Sequence, residues 1–396
     1  MFAITTSRPR MIRGRLSDWR LLWVLLPGLL QVGVACSEPR VPGSDAQVLA
    51  ELPVGARHQS APAREITRSR LDIALPLAQF YVARSRATGD LRYLGYAEAM
   101  LQPWTQQASV PPAVLVLEAT ILQSRHAFDA ALGQLDLALQ LQPDNAQAWL
   151  TRATVLRVLG RYDDATASCA RLALQADVAI TALCRESLRG LSGHLQSAYA
   201  ALVSLPLQQL PPEARAWRYS ELGEMAERQG DDQAAEHWFR EGLQLAPEDF
   251  YMRGACADLL LRQRRAAETL QLLAGFESME PMLLRIVVAQ QLLGQGDSAR
   301  ARAMLTAAFD VEQQRGEAVH RREQARFLLD IEQQPEAALA AAQENWRVQR
   351  EPDDLLILLR SAQAAHRPDV ARPALLFMQQ QQLEDVRLEP YRQELQ

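Results

Sequence analysis

Apolar positions along this chain recur at helical spacing. Trp149, Ala153 and Leu156 share one helical face, and so do Phe239, Leu243 and Ala246, because residues three or four apart lie one above the other on successive turns. Polar breaks opened by glycine, such as Gly230-Asp231-Asp232 and Gly296-Asp297-Ser298, read as turns between these faces. Prolines stand near helix starts, where a missing N–H costs least. The pattern predicts a succession of short helices joined by tight turns. Two stretches differ: Leu21 to Ala35 is an apolar run interrupted only by Pro27, Gly28, Gln31 and Gly33, and from Ser37 to about Thr67 the chain is rich in Pro, Ser, Gly, Ala and charge with no sustained period.

A small residue returns near the start of every second helix. These rungs are Ala97, Ala131, Ala165, Ala198, Ala235, Thr269, Ala301, Ala338 and Ala371, spaced by 34, 34, 33, 37, 34, 32, 37 and 33 residues. Gly160, Gly193, Gly230 and Gly296 each lie five residues before a rung. Small residues at a helix crossing let the backbones approach, while bulky ones fill the gaps between units. The unit from Ala216 is the clearest, with Tyr219, Leu222-Gly223, Gly230, Ala235, Phe239 and Pro247. The unit from Pro112 offers Leu115, Ala119, Leu122, Leu135, Ala138 and Pro143; that from Ala146 offers Trp149, Ala153, Leu156, Gly160 and Tyr162. In these residues the chain resembles the tetratricopeptide (TPR) repeat family over roughly residues 70 to 396, most specifically from Pro112 to Pro247. The resemblance implies an all-α, TPR-like α-solenoid, a right-handed superhelix of antiparallel helix pairs, with about nine hairpins over residues 68–396.

The repeat is uneven. Gly89-Asp90 lies eight residues before Ala97 instead of five, which leaves the first rung open to a shift of one helical turn. The unit from Ala179 lacks the aromatic, and Leu205-Pro206 to Pro211-Pro212 is a longer connection. The unit from Phe250 has Thr269 at its rung and no glycine turn, and Phe309 to His320 reads as a polar, widened turn.

The N-terminus reads as an address. Arg8, Arg10, Arg13, Arg15 and Arg20 precede the apolar run, the layout of a secretory signal over residues 1–35. The run is shorter than the ~20 residues a spanning helix needs, and Pro27-Gly28 interrupts it. Gly33-Val34-Ala35-Cys36-Ser37 resembles the lipobox of bacterial lipoproteins, with Gly33 where that family usually has leucine. The resemblance implies lipidation at Cys36; cleavage after Ala35 by a general signal peptidase and an uncleaved anchor stand beside it. Residues 36–67 then serve as a flexible tether. The expected location is exported and periplasmic, with membrane attachment only through the lipid anchor.

All 42 cationic side chains are arginine, so chemistry that needs an amine side chain is excluded. Without residues 1–35 the chain carries 37 arginines against 46 acids, a net charge of −9. Nucleic-acid binding, which needs clustered cations against phosphates, is not expected. None of His58, His126, His194, His237, His320 and His366 carries a zinc-protease spacing or shares a helical face with another histidine. No metal, cofactor or catalytic site is expected. Cys169 and Cys184 fall on helices that neighbour each other in a stack; buried reduced thiols are the expectation, with a disulfide as the alternative, and Cys256 reads as a third core thiol.

In the TPR family the concave face, lined by the first helix of each pair, binds an extended peptide or a helix of a partner. Carried over unit by unit, that face holds Gln147, Thr154 and Arg157, then Trp217, Glu224, Glu227 and Arg228, then Tyr251, Asp258 and Arg262. Trp217, Glu224, Arg228, Tyr251, Asp258 and Arg262 are the candidate partner-binding residues. The alternative for Trp217 and Tyr251 is packing between adjacent first helices. The implied function is a non-catalytic protein–protein interaction scaffold of the bacterial cell envelope. An assembly subunit of an envelope machine, or an enzyme using Glu224, Glu227 and Asp258 as acid and base, are the other readings.

Overall fold

Burying one stripe of each short helix requires a neighbour, and the chain supplies one every half repeat. The computed structural model describes residues 70–294, 299–315 and 320–395, all in helices, turns and short connections, with no strand among them. Residues 1–35, the tether over 36–67, Cys36 and the turn Gly296-Asp297-Ser298 lie outside the described residues. Nine helix pairs follow one another: α1 (Leu71–Thr88) and α2 (Arg92–Thr105); α3 (Pro112–Ser124) and α4 (Phe128–Leu141); α5 (Ala146–Val158) and α6 (Tyr162–Leu172). Next come α7 (Val178–Arg189) and α8 (Leu195–Ser204); α9 (Pro212–Gln229) and α10 (Asp232–Leu245); α11 (Phe250–Arg262) and α12 (Ala266–Leu272). The last are α13 (Glu280–Leu292) and α14 (Ala299–Arg315); α15 (Arg321–Arg326), continued by a π-helical turn at Phe327–Ile331, and α16 (Pro335–Val348); α17 (Pro352–Ala364) and α18 (Pro368–Gln380). A final helix, α19 (Glu389–Leu395), follows a short 3₁₀ turn. The described residues form an all-α, TPR-like solenoid.

Eight of the nine rungs, Ala97 and Thr269 included, have no solvent exposure; Ala301 is half-buried against Leu305 and Phe309. The first rung therefore needs no shift. Its odd spacing arises because α2 begins at Arg92, five residues ahead of Ala97, where α4 and most later second helices begin three ahead. Turn geometry is more regular than turn sequence. Five residues before the rung, Gly160, Gly193 and Gly230 have φ of 72°, 74° and 81°, and His126, Arg264, Gln333 and His366 adopt 57°, 59°, 53° and 54° at the same place. Glycine enters the left-handed region without steric cost, and the four other residues adopt it because the hairpin demands it. The close crossings are as tight as the repeat implies: a Cβ on Gly223 of α9 would lie 2.3 Å from the Phe239 ring of α10.

Two sequence expectations change. The wide turn expected from Phe309 to His320 does not begin at Phe309: α14 runs on to Arg315, and Phe309 is buried against Phe327, while residues 316–319 lie outside the described residues. Cys169 and Cys184 are joined by a disulfide, their Cα atoms 5.9 Å apart, instead of remaining thiols. Adjacent packing of α6 and α7 brings the two sulfur atoms together. Cys256 remains a buried free thiol, its pKa pushed up by burial to about 11.

The array also returns on itself. Buried apolar side chains from residues 115–191 and 325–388 form one continuous core, although an open solenoid joins only sequence neighbours. The Arg350 N–H donates to the Val158 carbonyl at 2.8 Å, and Phe377 packs edge-on against Tyr162 with ring centroids 5.9 Å apart. Glu384 accepts the backbone N–H of Leu195 at 2.7 Å, and Val386 covers Gly230. The last hairpins thus seat on the third to fifth, and the concave face becomes the wall of an interior cavity.

Candidate functional site

First helices of successive pairs point the same face inward, so residues spaced by one or two turns line a common space. That space is a cavity of 2310 Å³. Its wall includes Gln147, Thr154 and Arg157 of α5, Trp217, Glu224, Glu227 and Arg228 of α9, and Tyr251, Asp258 and Arg262 of α11, every groove position carried over from the sequence. It also includes Arg285 of α13, Arg322 and Arg326 of α15, Asp353 and Arg360 of α17, and Arg387.

Polar side chains on this wall are held by one another. Arg157 forms ion pairs with Glu221, with Glu351 at 3.4 Å and with Glu224 at 3.8 Å. The indole N–H of Trp217 donates to Glu221 at 2.9 Å, and the Tyr251 hydroxyl donates to Glu224 at 2.8 Å. Asp258 is clamped by Arg326 at 2.7 Å and Arg285 at 2.5 Å. Glu227 takes Arg262 and, at 3.4 Å, Arg387, which also reaches Asp353 at 3.0 Å. Arg228 donates to the Gly190 carbonyl at the end of α7 at 2.6 Å. The six candidate residues are therefore brought to one wall, and each is already oriented by an internal partner. Of the two aromatic anchors, Trp217 is partly buried between two core clusters, while Tyr251 keeps 42% of its surface exposed.

Charge density on the wall shifts its acids in opposite directions. Burial, and then the neighbouring Glu221 charge, push the Glu224 carboxyl up to about 8. At Asp258 burial also favours the neutral acid, but the guanidiniums of Arg285 and Arg326 outweigh it and hold the carboxyl well below its ordinary range. Asp354, fully buried at the start of α17, is raised by burial to about 6 while accepting from Asn345 at 2.8 Å and from the Glu351 N–H at 3.0 Å. Among the described residues, one group has metal-ligand character: Glu280, Glu312 and His320, all on the cavity wall.

Several wall residues escaped the sequence reading. Asp353 and Arg360 stand 18 and 11 residues before Ala371, just as Trp217 and Glu224 stand before Ala235, so the same carry-over extended to the last unit reaches them. Arg285, Arg322 and Arg326 lie where the spacing slips to 32 and then 37, which breaks the register needed to find them.

No family model matches this chain, and no curated protein matches it. Among solved structures it is similar to a chain of the APC/C hetero-tetramer Cut9–Hcn1, with 12% identity over 84% of this chain and 58% of that one, at a TM-score of 0.40. It thus spans little more than half of that chain's length. It is also similar to PilW, titled a widely conserved type IV pilus biogenesis factor, with 15% identity over 70% of this chain and 97% of that one, at a TM-score of 0.33. A tetratricopeptide repeat protein from Parabacteroides merdae aligns with 15% identity over 72% of this chain and 99% of that one, at a TM-score of 0.35.

Proposed function

We propose that this chain belongs with the TPR proteins and is a non-catalytic interaction scaffold, exported and lipid-anchored in a bacterial envelope, that holds a partner segment in its interior cavity. The observation that carries the reading is the cavity itself, 2310 Å³ walled by Trp217, Glu224, Arg228, Tyr251, Asp258 and Arg262. A peptide entering there meets side chains already fixed in place, which lowers the entropy lost on binding. Arginine and aromatic anchors of this kind dominate binding energy where they are desolvated. Tyr251 is the first point of contact because part of its ring stays open to solvent.

Export rests on the leader and on Cys36, and the Cys169–Cys184 disulfide suits an oxidising compartment. No helix among the described residues is long and apolar enough to cross a membrane; residues 1–35 lie outside them, and the attachment proposed is the lipid on Cys36. Mass spectrometry of the mature N-terminus is expected to find a diacylglyceryl Cys36. An unmodified Cys36 at the N-terminus, as cleavage after Ala35 by a general signal peptidase leaves, or a chain that begins before Cys36 would remove the lipoprotein assignment.

The raised carboxyl of Glu224 gives the enzyme reading its one support. Burial and the neighbouring Glu221 charge, which together outweigh the opposing pull of Arg157, account for it without a substrate, so binding remains the better reading. To test it, a photo-crosslinking residue is placed at Tyr251 and, as a control, at exposed Tyr96, in cells that express the native chain. A partner captured only from Tyr251, and lost in Trp217→Ala, is the expected outcome. Equal capture from both positions, with helical circular dichroism intact, counts against the cavity as the binding surface.

A further inference from the structure

Three side chains that no sequence motif connects converge on the cavity wall. Glu280 begins α13, Glu312 lies in the last turns of α14, and His320 caps the start of α15. One donor atom from each lies within 4.8 Å of the others. Nδ1 of His320 is 3.6 Å from a Glu280 oxygen and hydrogen-bonds to Glu312. Two ligands on a tetrahedral zinc, with bonds near 2.0–2.1 Å, stand about 3.3 Å apart, so movements of about an ångström close the triad on an ion.

Charge supplies the second observation. Glu224, Glu227 and Asp258 each have at least one guanidinium within ion-pair distance. Among the described side chains, Glu280 and Glu312 pair with the His320 imidazole and with no guanidinium. An imidazolium alone leaves this triad one negative charge in excess. A divalent cation held by two carboxylates and a neutral imidazole leaves none. The side chain of Glu280 keeps 39% exposure, so the remaining coordination position opens toward the cavity.

We propose that Glu280, Glu312 and His320 form a three-ligand site for a zinc-class divalent cation on the cavity wall, with water or a partner's donor atom as the fourth ligand. One nitrogen and two oxygens suit zinc and its borderline neighbours; magnesium and calcium take oxygen ligands. The sequence expectation of no metal looked for ligand pairs on one helix, and these donors come from three elements. Bound there, the ion ties α13, α14 and the start of α15 together.

The test uses the full chain purified without a polyhistidine tag. Calorimetric titration with Zn²⁺ is expected to give one site per chain, weakened at least tenfold, the lower end of the loss that disturbing a ligand shell brings, in both His320→Ala and Glu312→Gln. Titration with Co²⁺ provides a readout on the unaltered protein, where the intense d–d absorption of a four- or five-coordinate ion is expected. Absence of Zn²⁺ binding, affinity unchanged in both variants, or a Co²⁺ spectrum equal to that of the hydrated ion would each overturn the proposal. So would Mg²⁺ or Ca²⁺ binding as tightly as Zn²⁺.

Discussion

A carboxylate moved from water to the wall of a cavity loses hydration, and Glu224 shows the consequence. Its folded value of about 8 lies far above the ordinary glutamate range, so the folded chain holds a proton there that the unfolded chain has released. The associated stability is complete below the ordinary range near 4.3 and is lost as pH rises through about 8. Glu224→Gln mimics the protonated acid at every pH. Its stability should equal that of the wild type below about pH 4 and exceed it by roughly 1–3 kcal/mol near pH 9, less than the full shift implies because cavity water softens it. Urea unfolding across that pH range measures the difference. A pH-independent gap, or a variant less stable at high pH, would show that Glu224 is charged in the fold.

At the scale of the element, the hairpin turn is conserved in shape and not in letters. Gly160, Gly193 and Gly230 advertise it, whereas His126, Arg264, Gln333 and His366 adopt the same left-handed backbone at a steric cost. His366 is exposed. His366→Gly should therefore raise stability by about 0.5–1 kcal/mol, because the strain removed exceeds the entropy glycine adds to the unfolded chain. Gly230→Ala should lower it, since φ of 81° is combined there with Val386 at 3.2 Å from a new Cβ. The reverse signs in thermal melts, a loss for His366→Gly or a gain for Gly230→Ala, would mean the turn is set by something other than φ. These turns also mark how far the sequence could be read. Rungs, turns and the first-helix face are local, repeating demands, and each left a period in the residues. The disulfide depends on the pitch between α6 and α7, which no spacing encodes, and the ligand triad depends on three elements meeting across a widened repeat.

For the molecule as a whole, the least legible feature is the return of the last hairpins onto the third to fifth, because contacts between residues nearly two hundred apart write no local pattern. The Arg350–Val158 and Glu384–Leu195 hydrogen bonds and the Phe377–Tyr162 contact are of this kind. An open solenoid stabilises each unit through its sequence neighbours alone, so damage stays local. A closed coil spreads it. Phe377 is buried against Tyr162 and Trp346, and its ring lies 2.9 Å from where a Cβ on Gly160 would stand. Phe377→Ala should cost about 3 kcal/mol through the cavity it leaves. It should also speed amide exchange in α5 and α6, some two hundred residues away, as much as in α17. The same measurement decides whether the interior exists as a walled cavity in solution, since its wall is continuous only while the two ends of the array touch. Faster exchange confined to α16 through α19 would return the molecule to an open ribbon, with Trp217 and Tyr251 on a groove instead of an interior.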